Sequence, residues 1–192
     1  MPIITRKIEL KIVKDGLTDE EYDQQWKYLY QINNTIYLAA NRISTHCLFN
    51  DEYEMRLKLH MPRYKEIEKE LKKLDSDKKT SDKEIRDRLL NERKELDEDV
   101  KNKKKDFLQC SKQNSTYQLV SKEFKQYIPS DILANLNQKI QENYNNNQKK
   151  IESGERALST YKKGMEIPFS IRENKRLTLI PQHYYKIFFL ST

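Results

Sequence analysis

The sequence is poor in the residues from which most active sites are built. Its 192 residues include three glycines and three histidines. Three scattered glycines exclude a Gly-rich phosphate loop, and the sequence has neither a nucleophile elbow nor a set of carboxylates at metal-ligand spacing. The histidines, His46, His60 and His183, stand alone without the companion residues that catalysis needs. We therefore predict that this chain has no catalytic site of its own.

Long apolar runs and cysteines are also scarce. No stretch approaches the roughly 20 consecutive apolar residues that cross a bilayer, and residues 1–4 do not lead into the apolar core of a signal peptide. Two cysteines, Cys47 and Cys110, are too few for a secreted domain stabilised by several disulfides, so both are expected to be reduced, buried thiols. A zinc site shared with His46 or His60 is the alternative. The sequence predicts a cytoplasmic protein without a metal site.

Charge is what the sequence has in abundance. Charged residues make up 35% of the chain, and the formal net charge is +7. Residues 110–192 contain 13 Lys and Arg against 7 Asp and Glu, whereas residues 1–59 contain 8 against 9. The basic excess in the last third is typical of a protein with a polyanionic partner.

Apolar residues recur in two different patterns along the chain. Strict alternation over residues 3–13 predicts a strand with one buried face, and β-branched and aromatic runs at 167–171, 176–180 and 184–190 predict three more. These strands flank a helical middle and leave an open sheet edge that another element should cover.

Capping boxes and apolar spacings of three and four mark the helices. Thr18 with Glu21 and Ser81 with Glu84 have the spacing of capping boxes. Helices are accordingly predicted over residues 18–48, as an antiparallel hairpin projecting into water over 62–109, over 115–127, and from 130 onward.

Cations in the last third are mixed with flat rings and side-chain amides. Cations bind phosphates, whereas rings and amides stack on or hydrogen-bond to nucleotides. The alternative is that the rings lie in the core and the lysines on a solvated face. The residues of this mixed pattern are Tyr117, Lys122, Lys125, Tyr127, Lys139, Tyr144, Lys149, Lys150, Arg156, Tyr161, Lys162 and Lys163. Of these, Tyr117, Lys122, Lys149, Lys150, Tyr161, Lys162 and Lys163 are the candidate nucleic-acid-binding residues.

Several segments also follow one another along the chain in the order found in a known group of proteins. They are the strand at 3–13, a helix with Gln24, Gln25, Trp26 and later Asn33, Asn41 and Arg42, and the stretches STYQLVSKEFKQYIPSDILANLNQKIQENY, IESGERALSTYKKGMEIPFSI and RLTLI followed by YYKIFFL. In this order the chain resembles the N-terminal half of miniature type V-F CRISPR effectors and of the related transposon-encoded TnpB nucleases. The resemblance covers nearly all of the chain except residues 62–109.

The resemblance implies an α+β fold with a barrel. Residues 18–164 would form a mainly helical recognition lobe, with the hairpin 62–109 inserted, and residues 1–17 and 165–192 would form a small partial β-barrel, the wedge. In that family this half grips guide RNA and target DNA, reads a short flanking DNA motif and supports pairing of two copies, while base pairing supplies sequence specificity.

The family's catalytic half has no counterpart in this sequence. The resemblance therefore implies a recognition module without a cofactor, Mg²⁺ being expected only in the absent nuclease half. Such a chain would be a truncation, one subunit of a split system or an independent protein, and its partners would include guide RNA, target DNA, and a second copy or a separate nuclease chain.

Further residues become candidates because they lie in segments that resemble functional segments of the family. Ser115, Thr116, Tyr117 and Gln118 resemble the polar and aromatic stretch that approaches the flanking motif, and the alternative is an ordinary helix start with Tyr117 packed inside. Arg172 joins Tyr161, Lys162 and Lys163 as an implied phosphate contact.

A second class of function stays open. The hairpin 62–109 and the open sheet edge would also suit a coiled-coil adaptor that binds or regulates a partner protein such as a nuclease.

Overall fold

Five α-helices form most of the part of the chain that the structure describes. The structure, a computed structural model, describes Ile12, Lys14 and residues 16–76, 83–108, 112–168, 177–180 and 184–187. None of the helices in these ranges is long and apolar enough to cross a membrane. In chain order the elements are α1 (Asp19–Leu59), α2 (Pro62–Ser76), α3 (Lys83–Leu108), α4 (Lys112–Phe124), α5 (Ser130–Glu152), β1 (Leu177–Ile180) and β2 (Tyr184–Ile187).

The predicted α+β fold with a partial β-barrel is wrong. The described strands, β1 and β2, pair antiparallel in a two-stranded ladder, with Leu177 opposite Ile187. A single antiparallel pair cannot close into a barrel, and the other described residues are helical or irregular. The predicted strand at residues 3–13 lies outside the described residues except for Ile12, which belongs to no strand. The described fold is therefore helical.

α1 begins at the predicted capping box and runs further than predicted. The backbone N–H of Glu21 donates to Thr18 Oγ1 at 3.2 Å, and the backbone N–H of Thr18 donates to Glu21 Oε2 at 2.9 Å. The hydrogen bond from the Thr18 backbone lowers the pKa of the Glu21 carboxyl. Residues 49–59 contain neither Gly nor Pro, so nothing in them stops the helix before Leu59.

The chain divides into two compact units. The first unit comprises Met1–Thr45 and Thr116–Thr192, and the second comprises His46–Ser115. The apolar residues of α5, which recur at helical spacing in the sequence, are buried in the core of the first unit. The large, fully buried side chains of the first unit are Ile32, Ile36 and Ile43 of α1, Val120 of α4, Ile128, and Ile132, Leu133, Leu136 and Ile140 of α5.

α2 and α3 pack against each other in the second unit. Ile67, Leu71 and Leu89 form a small buried cluster between them. Three arginines also form ion pairs with carboxylates of the facing helix. Arg63, at the start of α2, pairs with Glu92, whereas Asp75, at its end, pairs with Arg86, nearer the start of α3, so the two helices run antiparallel. The ion pairs between them are Arg63 with Glu92 at 2.6 Å, Asp75 with Arg86 at 2.8 Å, and Glu68 with Arg93 at 3.1 Å.

A charged network links α3 to the last turns of α1 within the second unit. The Nζ of Lys104 lies 2.8 Å from Glu54 Oε2, and that of Lys58 lies 2.8 Å from Asp97 Oδ1. Burial alone would raise the pKa of Glu54, but hydrogen bonds and charge from Lys104 and Lys58 outweigh burial and lower that pKa. Lys104 is buried, and its charge is neutralised by Glu54 rather than offered to an outside anion.

Asn50, one turn before Glu54, carries the first prediction. It is fully buried, and neither its Oδ1 nor its Nδ2 has a hydrogen-bond partner among the described residues. An unsatisfied buried amide costs about 1–3 kcal/mol. We expect Asn50→Leu to raise the free energy of unfolding by about 1 kcal/mol, measured by urea denaturation. Asn91→Leu, at an exposed position of α3, is the control, and a destabilised Asn50→Leu variant would contradict the prediction.

Candidate nucleic-acid interface

A tight turn at the end of α5 reverses the chain direction. Gly154 has a φ of 77°, in the left-handed region that favours glycine. The backbone N–H groups of Ser153 and Arg156 donate to the carbonyl oxygens of Lys149 and Lys150, both at 3.0 Å. These bonds satisfy carbonyl groups that the helix leaves without a partner. Residues 155–166, called the strap below, follow the turn and contain no helix or strand.

The strap runs back along α5, antiparallel to it. Its three anchors on α5 are spaced by four residues, so they occupy successive turns of one helix edge. Each anchor joins a side chain of α5 to a side chain of the strap. From the turn onward, Arg156 Nη1 donates to Asn147 Oδ1 at 2.6 Å, Asn143 Nδ2 donates to Tyr161 Oη at 2.8 Å, and Lys139 Nζ lies 3.3 Å from Glu166 Oε2.

α1 holds the strap from a second direction. The Nδ2 of Asn41 donates to the carbonyl oxygen of Tyr161 at 2.8 Å, and the backbone N–H of Tyr161 donates to Asn41 Oδ1 at 2.8 Å. The hydroxyl of Ser44 donates to the carbonyl oxygen of Ser159 at 3.1 Å. One asparagine thus satisfies both polar backbone groups of Tyr161, as a neighbouring strand would. The strap is therefore held in place by two helices.

Four of the predicted phosphate-binding lysines belong to α5 and the strap. Lys149 and Lys150 are exposed in the last turn of α5, and Lys162 and Lys163 are exposed on the strap. Tyr161 is anchored by Asn143, and Asn143 lies about 10 Å along the helix axis from Lys150 at 1.5 Å per residue. All four lysines thus lie on α5 or on the strap, two segments that hydrogen bonds connect.

No anion among the described residues neutralises these four lysines. Glu166 pairs with Lys139, Glu152 accepts a hydrogen bond from Gln148 at 2.8 Å, and neither these carboxylates nor the exposed Glu155 forms an ion pair with any of the four lysines. Exposed cations without an internal partner are available to phosphates.

The predicted residues of α4 are divided between core and surface. Ser115 is buried, with its hydroxyl 3.4 Å from His46 Nε2, and Thr116 is fully buried. Buried hydroxyls do not reach a flanking DNA motif, so we leave these two residues out of the interface. Tyr117 is half-buried, and Gln118 and Lys122 are exposed. The predicted Arg172 lies outside the described residues.

Sequence reasoning missed the residues that hold the strap. The helix predicted from residue 130 continues to Glu152 and uses the side-chain amides of Asn143 and Asn147 as anchors. A signal was present, because Lys139, Asn143 and Asn147 are spaced by one helical turn. Asn41 had no such signal, since its partner Tyr161 is 120 positions away.

No group of three or more His, Cys, Asp or Glu side chains in the described residues could hold a metal ion. Cys47 is buried in α1, as predicted, and Cys110 lies outside the described residues. The described residues thus form mainly helices, with exposed lysines in the last turn of α5 and on the strap. Comparison with protein-family models, with curated proteins and with solved structures finds no match to this chain.

Proposed function

We propose that this chain is a nucleic-acid-binding module in which α5 and the strap bind the phosphate backbone of a structured RNA. The observation that carries the proposal is the set of four exposed lysines without an anionic partner, on a segment that two helices hold in place. Preorganised cations lose little conformational freedom on binding, so more of the interaction energy remains as affinity.

The resemblance to compact RNA-guided nucleases suggests which nucleic acid this is. On this proposal the RNA is a guide RNA, bound with its target DNA, and a flanking motif is read by exposed residues of α4 such as Gln118 and Lys122. Cleavage belongs to a separate nuclease half with its own Mg²⁺, and the module works in the cytoplasm.

The adaptor function has less support from the second unit. The apolar cluster Ile67, Leu71 and Leu89 is already buried between α2 and α3. A coiled-coil partner needs an unfilled apolar seam, whereas the outer surface of this hairpin is mainly charged and partly closed by ion pairs such as Arg63 with Glu92. Nucleic-acid binding is therefore the function that we favour.

A salt titration tests the proposed function. The probe is a fluorescein-labelled RNA hairpin of 20 base pairs, and binding is measured by anisotropy between 50 and 400 mM NaCl. Because each neutralised phosphate releases counterions, we expect log K to fall with log[NaCl] with a slope of about −3 or steeper. A slope near zero, or no binding at the lowest salt concentration, would overturn the proposal.

A further inference from the structure

Two asparagines of α5 weaken the helix and receive no hydrogen bond in return. Asn145 and Asn146, called the amide pair below, are exposed, and neither side chain forms a hydrogen bond within the part of the chain that the structure describes. Asn143 and Asn147 differ from them, because both anchor the strap. Asn is a poor helix former, since its amide competes with the helical backbone for hydrogen bonds. Positions that oppose the local structure without compensation are typical of functional surfaces.

The amide pair lies one helical turn before two of the exposed lysines. Lys149 follows Asn145 by four residues and Asn146 by three, and Lys150 follows Asn146 by four. Residues at these spacings are neighbours on one face of a helix. Amides and cations therefore lie side by side on the exposed surface of α5.

The charge of this surface changes sign along the helix. Glu142 lies one turn before the amide pair and accepts a hydrogen bond from Gln138 at 3.0 Å. Its carboxylate repels phosphates, whereas Lys149 and Lys150 attract them. A bound nucleotide strand is therefore expected to have its phosphates toward the end of α5 and its bases over the amide pair.

An amide is better suited to the edge of a base than to a phosphate. Its nitrogen donates hydrogen bonds and its oxygen accepts them, whereas a phosphate offers acceptors alone. Adenine presents the complementary groups side by side, the N6 amino donor and the N7 acceptor, and Asn pairs with them through two hydrogen bonds. The amide pair thus fits adenine.

Double helices do not give the amide pair access to that edge. The major groove of an RNA duplex is too narrow and deep for side chains. The major groove of B-DNA is about 12 Å wide and admits a single helix about 10–12 Å across, but the strap is bound alongside α5 and makes this element wider. Unpaired bases of RNA, in contrast, present their edges freely.

We propose that the amide pair binds the N6 and N7 atoms of unpaired adenine in RNA, next to the duplex whose phosphates Lys149 and Lys150 bind. The inference rests on the proposed function, and it adds a base preference to the same site.

The test gives the RNA hairpin of 20 base pairs a single-stranded 3′ tail of six nucleotides. The tail consists of adenosine, of uridine, or of 7-deazaadenosine, which keeps the ring system and the amino group of adenosine but lacks the N7 acceptor. We expect the unaltered protein to bind the adenosine tail about 5- to 100-fold more tightly than the other two, which is the discrimination of one amide–base pair with two hydrogen bonds. Anisotropy measures the affinities.

The double variant Asn145→Ala, Asn146→Ala removes both amides. Ala is the better helix former, so α5 is expected to stay folded. The variant should bind the three tails equally, and its affinity for the hairpin without a tail, together with the salt slope, should not change. Asn135→Ala is the matched control. It lies in α5 about 15 Å along the helix axis from Asn145, its side chain also forms no hydrogen bond among the described residues, and it should keep the preference.

The outcomes separate this inference from the proposed function. The inference is wrong if the unaltered protein does not prefer the adenosine tail, if it binds the 7-deazaadenosine tail equally well, or if the double variant keeps the preference. It is also wrong if the double variant loses affinity for the hairpin without a tail, since the amides would then contact the RNA backbone, or if the amides are needed to bind a DNA duplex rich in A·T pairs. Salt-dependent binding of the hairpin in any of these cases leaves the proposed function standing, whereas no binding of any hairpin overturns both.

Discussion

Replacing Lys149, Lys150, Lys162 and Lys163 together by Gln weakens binding of the RNA hairpin by about 100- to 1,000-fold at 0.1 M salt. The reason is the loss of four phosphate contacts, each of which releases close to one counterion from a duplex. The slope of log K against log[NaCl] should accordingly become less negative by about 3. Gln keeps nearly the helix propensity of Lys, so α5 is expected to stay folded. Anisotropy over a salt series measures both quantities.

The matched control removes the same number of charges elsewhere. Lys65, Lys69, Lys72 and Lys73 are exposed lysines of α2, and changing these four to Gln alters the net charge equally. We expect this control to shift the salt slope by less than about 1, because long-range attraction is screened beyond about 10 Å at 0.1 M salt. Equal losses in the two variants would mean that RNA responds to net charge alone, which would contradict a defined interface.

Asn41→Ala detaches the strap from α1. The substitution removes both hydrogen bonds to the backbone of Tyr161, each 2.8 Å long. It leaves a part-buried N–H and carbonyl without their partner, which costs about 2–3 kcal/mol in total. We expect the free energy of unfolding to fall by that amount in urea denaturation, and hydrogen exchange at the Tyr161 amide to accelerate by at least about 10-fold. RNA binding should weaken as well, because Lys162 and Lys163 follow Tyr161 directly.

Two further variants make the prediction on Asn41 specific. Asn34→Ala, at an exposed position of the same helix, makes the same chemical change and is expected to alter stability by less than about 0.5 kcal/mol. Asn41→Asp can still accept a hydrogen bond from the Tyr161 N–H but cannot donate to its carbonyl oxygen, so it should fall between Asn41 and Ala. Unchanged exchange at Tyr161 in Asn41→Ala would show that α5 alone holds the strap.

Local patterns were sufficient for much of the fold. The capping box of Thr18 with Glu21, the buried stripe of α5 and the helical segments over residues 62–109 all depend on interactions within a few positions of the sequence. Such spacings follow directly from 3.6 residues per turn. The extension of α1 to Leu59 was missed, although the absence of Gly and Pro from residues 49–59 allowed it.

The barrel prediction failed for a different reason. The runs containing Leu177–Ile180 and Tyr184–Ile187 do form strands, but strand propensity does not determine how many strands pair. A barrel requires hydrogen bonds between segments far apart in the chain, and the pattern of a single segment contains no such information.

The sequence by itself determined that most of this protein is helical and how strongly basic its last third is, because helical periodicity and charge are properties of neighbouring residues. Only the tertiary structure decided that Thr116 is buried, that Asn41 forms hydrogen bonds with the backbone of Tyr161, and that Phe107 stacks on Tyr53. Burial and contacts between residues 50 to 120 positions apart depend on how helices pack, and packing combines surfaces that no local spacing relates to one another.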